Sequence, residues 1–147
     1  TIAAMDLDNF KSVNDRFGHA AGDTVLRLAA DTIKTEIRAI DMVARIGGDE
    51  FVILLPEADS DAAHAVIDRV QQHLAEVVQK NGWLVTVSIG LATFVSPPGS
   101  TDDMMKKADD LLYAAKHDGK NMVKRQTFEG TPGASSFAPP KRYGYNQ

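Results

Sequence analysis

Four carboxylates in two short segments carry most of the chemical potential of this chain: Asp6 and Asp8 in one, Asp49 and Glu50 in the other. Each pair stands where an apolar run meets polar sequence. Side chains alternate across an extended strand, so Asp6 and Asp8 can share a face while the adjacent Asp49 and Glu50 diverge. Clustered carboxylates repel one another unless a cation lies among them. Oxygen donors with no His or Cys beside them suit Mg²⁺ or Mn²⁺ better than zinc. Either pair alone reads most simply as solvated acids at a strand end, whereas two pairs on neighbouring strands read as a cation site. Asp6 and Asp8 are both open as ligands on these grounds, and Asp49 and Glu50 share whatever role their segment has.

The elements that must position these acids follow from the hydrophobic pattern. Thr1 to Leu7 predicts a buried strand that stops where the carboxylates begin. Asp8 to Gly22 is polar, with turn signals at Asn14-Asp15 and Gly18, and is expected to be irregular. From Asp23, with Asp23 or Thr24 as N-cap, Val25, Leu26, Leu28, Ala29, Ile33 and Ile37 recur at helical spacing. Met42 to Ile46 and Phe51 to Leu55 are short apolar runs around Gly47-Gly48, a pair suited to the positive φ angles of a tight hairpin. Asp59 to Lys80 predicts a second helix with Ala62, Ala65, Val66, Val70, Leu74 and Val77 facing inward. Trp83 to Val95 is a strand, Thr101 to Asp118 a helix capped by Thr101 or Asp102, and Asn121 to Thr127 a last strand.

The order β-α-β-β-α-β marks a ferredoxin-like core. The fold class is therefore α+β, an α/β sandwich with an extra helix and strand. It brings the end of the first strand beside the hairpin at one sheet edge, and both carry the acids.

Composition bounds the function. The 147 residues make one domain, and 44% hydrophobic with 24% charged residues is the balance of a globular protein. A net charge of −4 argues against non-specific nucleic-acid binding, but not against a nucleotide held by local cations or metal ions. The absence of cysteine excludes disulfides and thiolate metal sites. No apolar run approaches the ~20 residues of a membrane span, so no membrane contact is expected of this domain. A cytoplasmic location is expected, in a parent protein that can itself be membrane-anchored.

Three segments then carry a resemblance. Asp6-Leu7-Asp8-Asn9-Phe10-Lys11-Ser12-Val13-Asn14-Asp15, continued by Phe17-Gly18-His19 and Gly22-Asp23, resembles the first motif of the GGDEF family, the diguanylate cyclases. Arg45-Ile46-Gly47-Gly48-Asp49-Glu50-Phe51 matches the name-giving hairpin in full. Tyr113-Ala114-Ala115-Lys116 and Gly119-Lys120-Asn121 match the closing motif. The resemblance implies a palm-like nucleotide cyclase architecture. It implies a domain over residues 1–127 without the helix and Leu-Thr-Gly-Leu-x-Asn-Arg-like segment that usually precede the first strand. Residues 128–147 are expected to be a flexible tail.

The resemblance also implies roles. Asp6 and Asp49, with the carbonyl of Leu7, would hold two Mg²⁺ (or Mn²⁺) ions per active site. Asp49 would assist deprotonation of a 3′-hydroxyl, with Glu50 beside it. Lys11, Lys116 and Lys120 are the candidates to meet phosphate; Lys11 is grouped with the catalytic residues, and backbone N–H groups of Asn9 to Lys11 would add donors. Lys120 stands where the family often has Arg, which keeps the charge without the bidentate fork. Lys116 and Lys120 also fit an interaction with a helix C-terminus. Asn14 and Asp23 would read guanine, since a carboxylate accepts from its donors and an amide can do both; without the resemblance they are a turn residue and a helix cap. His19 is placed near substrate, or is structural. Gly47 and Gly48 would let backbone approach the nucleotide, form the turn, or both.

Arg38-Ala39-Ile40-Asp41 has the R-x-x-D form that marks a product-inhibition site in this family, and Arg69 matches a further arginine of it. Read locally, Arg38 is a cation at a helix end, Asp41 a turn residue and Arg69 a solvated helix residue. The expected function is condensation of two GTP into cyclic di-GMP and two pyrophosphates by two metals across a homodimer, inhibited by product. The expected driver is an upstream sensor or receiver domain. The alternative is a non-catalytic module that binds GTP or cyclic di-GMP.

Overall fold

All seven residues of β1 (Ile2–Asp8) are buried. A strand covered on both faces needs a layer of other elements on each side of its sheet. The computed structural model, which describes residues 1–130, supplies both layers. The other strands are β2 (Met42–Arg45), β3 (Glu50–Leu54), β4 (Thr86–Phe94) and β5 (Val123–Phe128), and the helices are α1 (Phe10–Phe17), α2 (His19–Glu36), α3 (Ser60–Lys80) and α4 (Thr101–His117). The sheet order is β2-β3-β1-β4-β5. All pairings are antiparallel except β4 with β5. The first four strands with α2 and α3 form the expected ferredoxin-like core, and α4 with β5 are its extra helix and strand.

Alternation along the strands divides the core. Ala3, Met5 and Leu7 pack with Phe51, Ile53, Val87, Ile89 and Leu91 against Val25, Ala29 and Ile33 of α2 and Ile67, Val70 and Leu74 of α3. Ile2 and Ala4 turn to the other face, where they meet Ala92 and Ala108 of α4. Each fully buried aliphatic side chain contributes about 1.5–3 kcal/mol, so a one-residue slip of β1 would exchange the two sets at large cost. That fixed phase puts Asp6 and Asp8 on the α4 face. β4 meets α4 at Gly90, where a Cβ would lie 2.2 Å from the Ala108 carbonyl oxygen and 2.3 Å from the Leu112 nitrogen. Glycine here permits backbone-to-backbone approach of helix and strand.

Several sequence expectations shift. Residues 10–17 and 19–22 are helical, not irregular: Phe10, Val13 and Phe17 recur at helical spacing among polar residues, and only Val13 is buried in α1. Gly18, at φ 89°, separates α1 from α2 and takes the N-cap position of α2, so Asp23 and Thr24 lie inside that helix. The inner stripe of α3 is Ala63, Ile67, Val70, Leu74 and Val78, leaving Ala62 and Ala65 exposed. Ile67, bulkier than its neighbour Val66, takes the core face, and Ala63 and Val78 share its phase. Gly47 and Gly48 are not among the positive-φ residues; the hairpin closes over the three residues 47–49 by Ile46 N–H to the Glu50 carbonyl at 2.9 Å.

Element ends move for local reasons. β4 begins at Thr86 because Gly82 and Trp83 turn back to donate to the Gln79 and Val78 carbonyls. Ser100 caps α4 by accepting from Asp103 N–H at 3.0 Å, in place of Thr101 or Asp102. β5 begins at Val123, after three successive left-handed residues at 119–121. β1 is the central strand of the sheet, so the acids gather at one end of the sheet and not along an edge. Of the tail expected over 128–147, Phe128 instead closes β5, and residues 131–147 lie outside the described residues.

Candidate active site

Asp6 stands directly across from Glu50 on β3 and from Ser88 on β4. The backbone binds the hairpin to β1 here, with Leu7 N–H donating to the Asp49 carbonyl at 3.2 Å. Like charges directly opposite in a sheet are destabilising, and a cation offsets them: Lys116 Nζ, in the last turn of α4, lies 2.6 Å from Asp6 Oδ2. Burial pushes the Asp6 carboxyl above its ordinary range, Lys116 pulls it back, and Asp49 and then Glu50 push it up further. Asp6, Asp49, Glu50 and Lys116 therefore form one electrostatic unit.

Asp8 is a different kind of carboxylate. Oδ2 accepts from Thr86 Oγ1 at 2.8 Å, from Ser88 Oγ at 2.9 Å and from Asn121 N–H at 3.1 Å. Ser88 Oγ also lies 2.9 Å from Oδ1. Asp8 is 3% exposed and its oxygens are engaged within the protein. Of the two ligand candidates on β1, Asp6 is the one left facing other charges.

The donor chemistry fits a hard divalent cation. Among the described residues no three His, Asp or Glu side chains converge to hold an ion by themselves. Mg²⁺ does not need such a cage, since it commonly binds through one or two carboxylates and completes its shell with water and substrate phosphate. Asp6 and Asp49, with main-chain oxygen at Leu7, are a donor set of that kind.

The base-reading candidates meet where α1 packs on α2. A Cβ at Gly22 would lie 1.8 Å from Asn14 Oδ1 and 3.2 Å from Phe10 Cζ, so Asn14 rests directly on the α2 backbone beside Asp23. Exposed Asp23 lines an open groove of about 500 Å³ with Leu26, Arg27, Lys34, Val43, Arg45 and Phe51. His19 is the exposed first residue of α2. Lys11 is exposed in the first turn of α1, which follows β1 through left-handed Asn9 (φ 62°) and has no side-chain cap. Lys120 is exposed with φ 62°. Glu50 folds over Gly47, whose Cβ would meet Glu50 Oε2 at 2.9 Å, whereas a Cβ on Gly48 would enter open space.

Arg38 and Asp41 bind each other. Arg38 Nε and Nη2 reach Oδ2 and Oδ1 of Asp41 at 3.1 and 2.8 Å, and Arg38 N–H adds a third bond at 2.7 Å. Arg38 Nη2 also donates to the Pro56 carbonyl at 2.8 Å. Hydrogen bonds from Arg38 hold the Asp41 carboxyl below its usual range against the upward push of burial. The Arg38 side chain is 48% exposed and the Asp41 side chain 0%. Arg69 joins this end of α2 through Glu36, at 3.2 Å.

Residues outside the sequence reading complete the picture. Ser88 and Gly90 are buried in β4, and Arg27 and Lys34 add cations to the groove beside Asp23. A lone glycine inside a strand pattern was the available signal for Gly90. Nothing local marks Ser88, whose role comes from its cross-strand neighbours.

Fold and site define an α+β domain that gathers acids and lysines at one end of a mixed sheet. The family model described as "Diguanylate cyclase, GGDEF domain" matches residues 1–122, and the chain belongs to this family. It is 38% identical over 126 residues to diguanylate cyclase A of Treponema denticola, covering 84% of this chain and 34% of the relative. It is 40% identical over 123 residues to diguanylate cyclase DgcM of Escherichia coli, covering 84% and 30%. The chain thus spans about a third of the length of these curated relatives. Among solved structures, the active GGEEF domain of a diguanylate cyclase from Vibrio cholerae aligns with a TM-score of 0.78 at 29% identity, covering 84% of this chain and 80% of that one. The GGDEF domain of DgcB from Caulobacter crescentus, in complex with c-di-GMP, aligns with a TM-score of 0.72 at 29% identity, covering 84% and 75%. No helix among the described residues is long and apolar enough to cross a membrane.

Proposed function

We propose that this domain is a diguanylate cyclase, joining two GTP molecules into cyclic di-GMP with release of two pyrophosphates. The observation that carries this reading is the meeting of Asp6 with Asp49 and Glu50 across two hydrogen-bonded strands, under Lys116. Each domain holds one GTP. The 3′-oxygen of each forms a bond to the α-phosphorus of the other, and the bond from that phosphorus to the pyrophosphate oxygen breaks. Each site uses half of the pair, so two copies must face each other as a homodimer.

Asp6 and Asp49, with the Leu7 carbonyl, would hold the divalent ions. When bound, such ions neutralise the leaving pyrophosphate and lower the pKa of the attacking hydroxyl. Asp49, with Glu50 adjacent, takes the hydroxyl proton. Lys116, Lys120 and Lys11 meet phosphate oxygens, and the uncapped first turn of α1 offers N–H groups there. Phosphoryl transfer asks mainly for such positioning and charge complementarity. Asn14 and Asp23 read the guanine edge, His19 lies beside the substrate, and Gly48 leaves room above the hairpin for nucleotide.

For the second site, we read the exposed Arg38 guanidinium as the group offered to cyclic di-GMP, oriented by Asp41 and joined by Arg69 across Glu36. Arg forks suit both phosphate and the guanine Hoogsteen edge. The complex of the Caulobacter crescentus domain with c-di-GMP supports a product-binding surface in this family. An upstream sensor or receiver domain would set the dimer.

The test is incubation of the dimerised protein with GTP and Mg²⁺. Cyclic di-GMP and pyrophosphate in a ratio of one to two, with no product from ATP, is the expected result. GTP or cyclic di-GMP binding without turnover would favour the alternative, a non-catalytic binding module.

A further inference from the structure

Two aspartates on one face of β1 stand two residues apart, yet their surroundings are opposite in kind. Asp6 faces charge. Asp8 faces donors, and the farthest of these in sequence is the backbone N–H of Asn121, 113 residues away. That N–H is shared with Ser88 Oγ at 3.2 Å.

Asn121 ends an unusual turn. Gly119, Lys120 and Asn121 have φ angles of 127°, 62° and 49°. Non-glycine residues persist in this region only where their surroundings over-determine them. Two contacts do so here. At one end Lys120 N–H donates to the Ala115 carbonyl at 3.0 Å, closing α4. At the other end Asn121 N–H is held by Asp8 and Ser88. The turn is a short strap between the last turn of α4, which carries Lys116, and the floor of the sheet beside Asp6. Directly after it, the Met122 carbonyl accepts from Ile89 N–H at 3.0 Å and β5 begins.

We infer that Asp8, acting with Ser88, is a positioning residue for the cations of the site: by fixing the 119–121 strap it sets the place of Lys120 and of Lys116 over Asp6. Asp8 is then neither a metal ligand nor a group that touches substrate. This inference rests on the cyclase reading for its ligand, GTP, and on geometry alone for the strap.

The role separates from metal ligation by the response to an isosteric amide. Asn at position 8 keeps one carbonyl oxygen for Asn121 N–H and Thr86, while its amide can donate to Ser88 Oγ. Asn at position 6 loses the charge a cation needs.

The experiment compares Asp8→Ala, Asp8→Asn, Ser88→Ala and Asp6→Asn in the dimerised protein. It reads amide exchange at Lys120 and Asn121, the affinity for a non-hydrolysable GTP analogue with Mg²⁺, and kcat and KM for GTP. Asp8→Ala is expected to lose protection at Asn121 and to raise KM about tenfold or more; Asp8→Asn is expected to restore both to within about threefold, with an unchanged Mg²⁺ requirement. Ser88→Ala, which keeps the Asp8 carboxylate, is expected to fall between them. Combining Asp8→Ala with Lys120→Ala should raise KM by less than the product of the single effects, because both act through one group. Asp8→Asn as inactive as Asp6→Asn, with a shifted Mg²⁺ requirement, would make Asp8 a ligand and overturn the inference. So would an unaltered GTP affinity in Asp8→Ala. Wild-type protein that binds no GTP would instead overturn the cyclase reading, and this role with it, whatever the exchange at Asn121 shows.

Discussion

Lys116 on α4 reaches Asp6 on β1 with an Nζ–Oδ2 distance of 2.6 Å, at the sheet end where Asp49 and Glu50 also lie. The pair ties the helix added outside the ferredoxin-like core to the strand at its centre. It also makes the position of Lys116 sensitive to how closely α4 sits on the sheet.

Removing that cation should expose the cost of the acids. Burial, then Asp49 and Glu50, raise the Asp6 carboxyl, so the folded protein binds this proton more readily than the unfolded chain. Stability from this group is present at low pH and is lost as pH rises from the unfolded value of about 4 through the raised folded one. Lys116 limits that loss. Lys116→Met should therefore lower Tm at pH 7 by several degrees, with the deficit shrinking toward pH 4. Mg²⁺ should raise Tm more in the variant than in the wild type. Thermal melts from pH 4 to 8 check both.

Gly22→Ala tests base reading. The new methyl would fall 1.8 Å from Asn14 Oδ1, so Asn14 must leave its place. The expected outcome is a loss of about 10–100-fold in GTP affinity, the scale of a lost hydrogen-bonding residue, with a smaller preference over ATP. Calorimetric titration with both nucleotides measures it. Unaltered discrimination would remove Asn14 from the base site.

Gly90→Ala tests the seating of α4. Its methyl would meet backbone atoms at 2.2 and 2.3 Å, which no rotamer change relieves. Overpacking of this kind costs about 1–3 kcal/mol. Denaturant unfolding should show that loss, and GTP affinity should fall with it because Lys116 and Lys120 move with the helix end.

These substitutions show where sequence was a sufficient guide. The β-α-β-β-α-β order and the meeting of Asp6 with Asp49 and Glu50 on neighbouring strands follow from alternation and from motif spacing, both local properties, whereas their place at the end of a central strand and not at a sheet edge follows from the strand order. The helices at 10–22 were hidden because α1 buries only Val13, so its apolar period is thin against the polar background. The α3 stripe was ambiguous by one position, and Ile67, which the expected inner set left out, marks the true phase. Asp6 and Asp8 were equivalent on a one-dimensional reading. They differ because Thr86, Ser88 and Asn121, far along the chain, close around Asp8 alone.

Arg38 and Asp41 make a further pair of predictions. Arg38→Ala should weaken cyclic di-GMP binding at least about tenfold while leaving GTP affinity in place, the scale of a charge-assisted contact. Because the Asp41 carboxyl is held low by Arg38, its stabilisation is present above the unfolded value and is lost as pH falls through the folded one. Arg38→Ala should flatten that acid limb, which melts between pH 2 and 5 would record.

In the proposed reaction Asp6 and Asp49 hold the divalent ions through which two GTP molecules are joined, and a Mg²⁺ titration of GTP turnover reads that role out. Wild type, Asp6→Asn and Asp49→Asn would be compared in dimerised form, with folding verified by thermal melts. Cyclic di-GMP is expected from wild type only when the metal is present, and none from either folded variant. Product formed by wild type without a divalent ion, or undiminished turnover in either variant, would contradict that role.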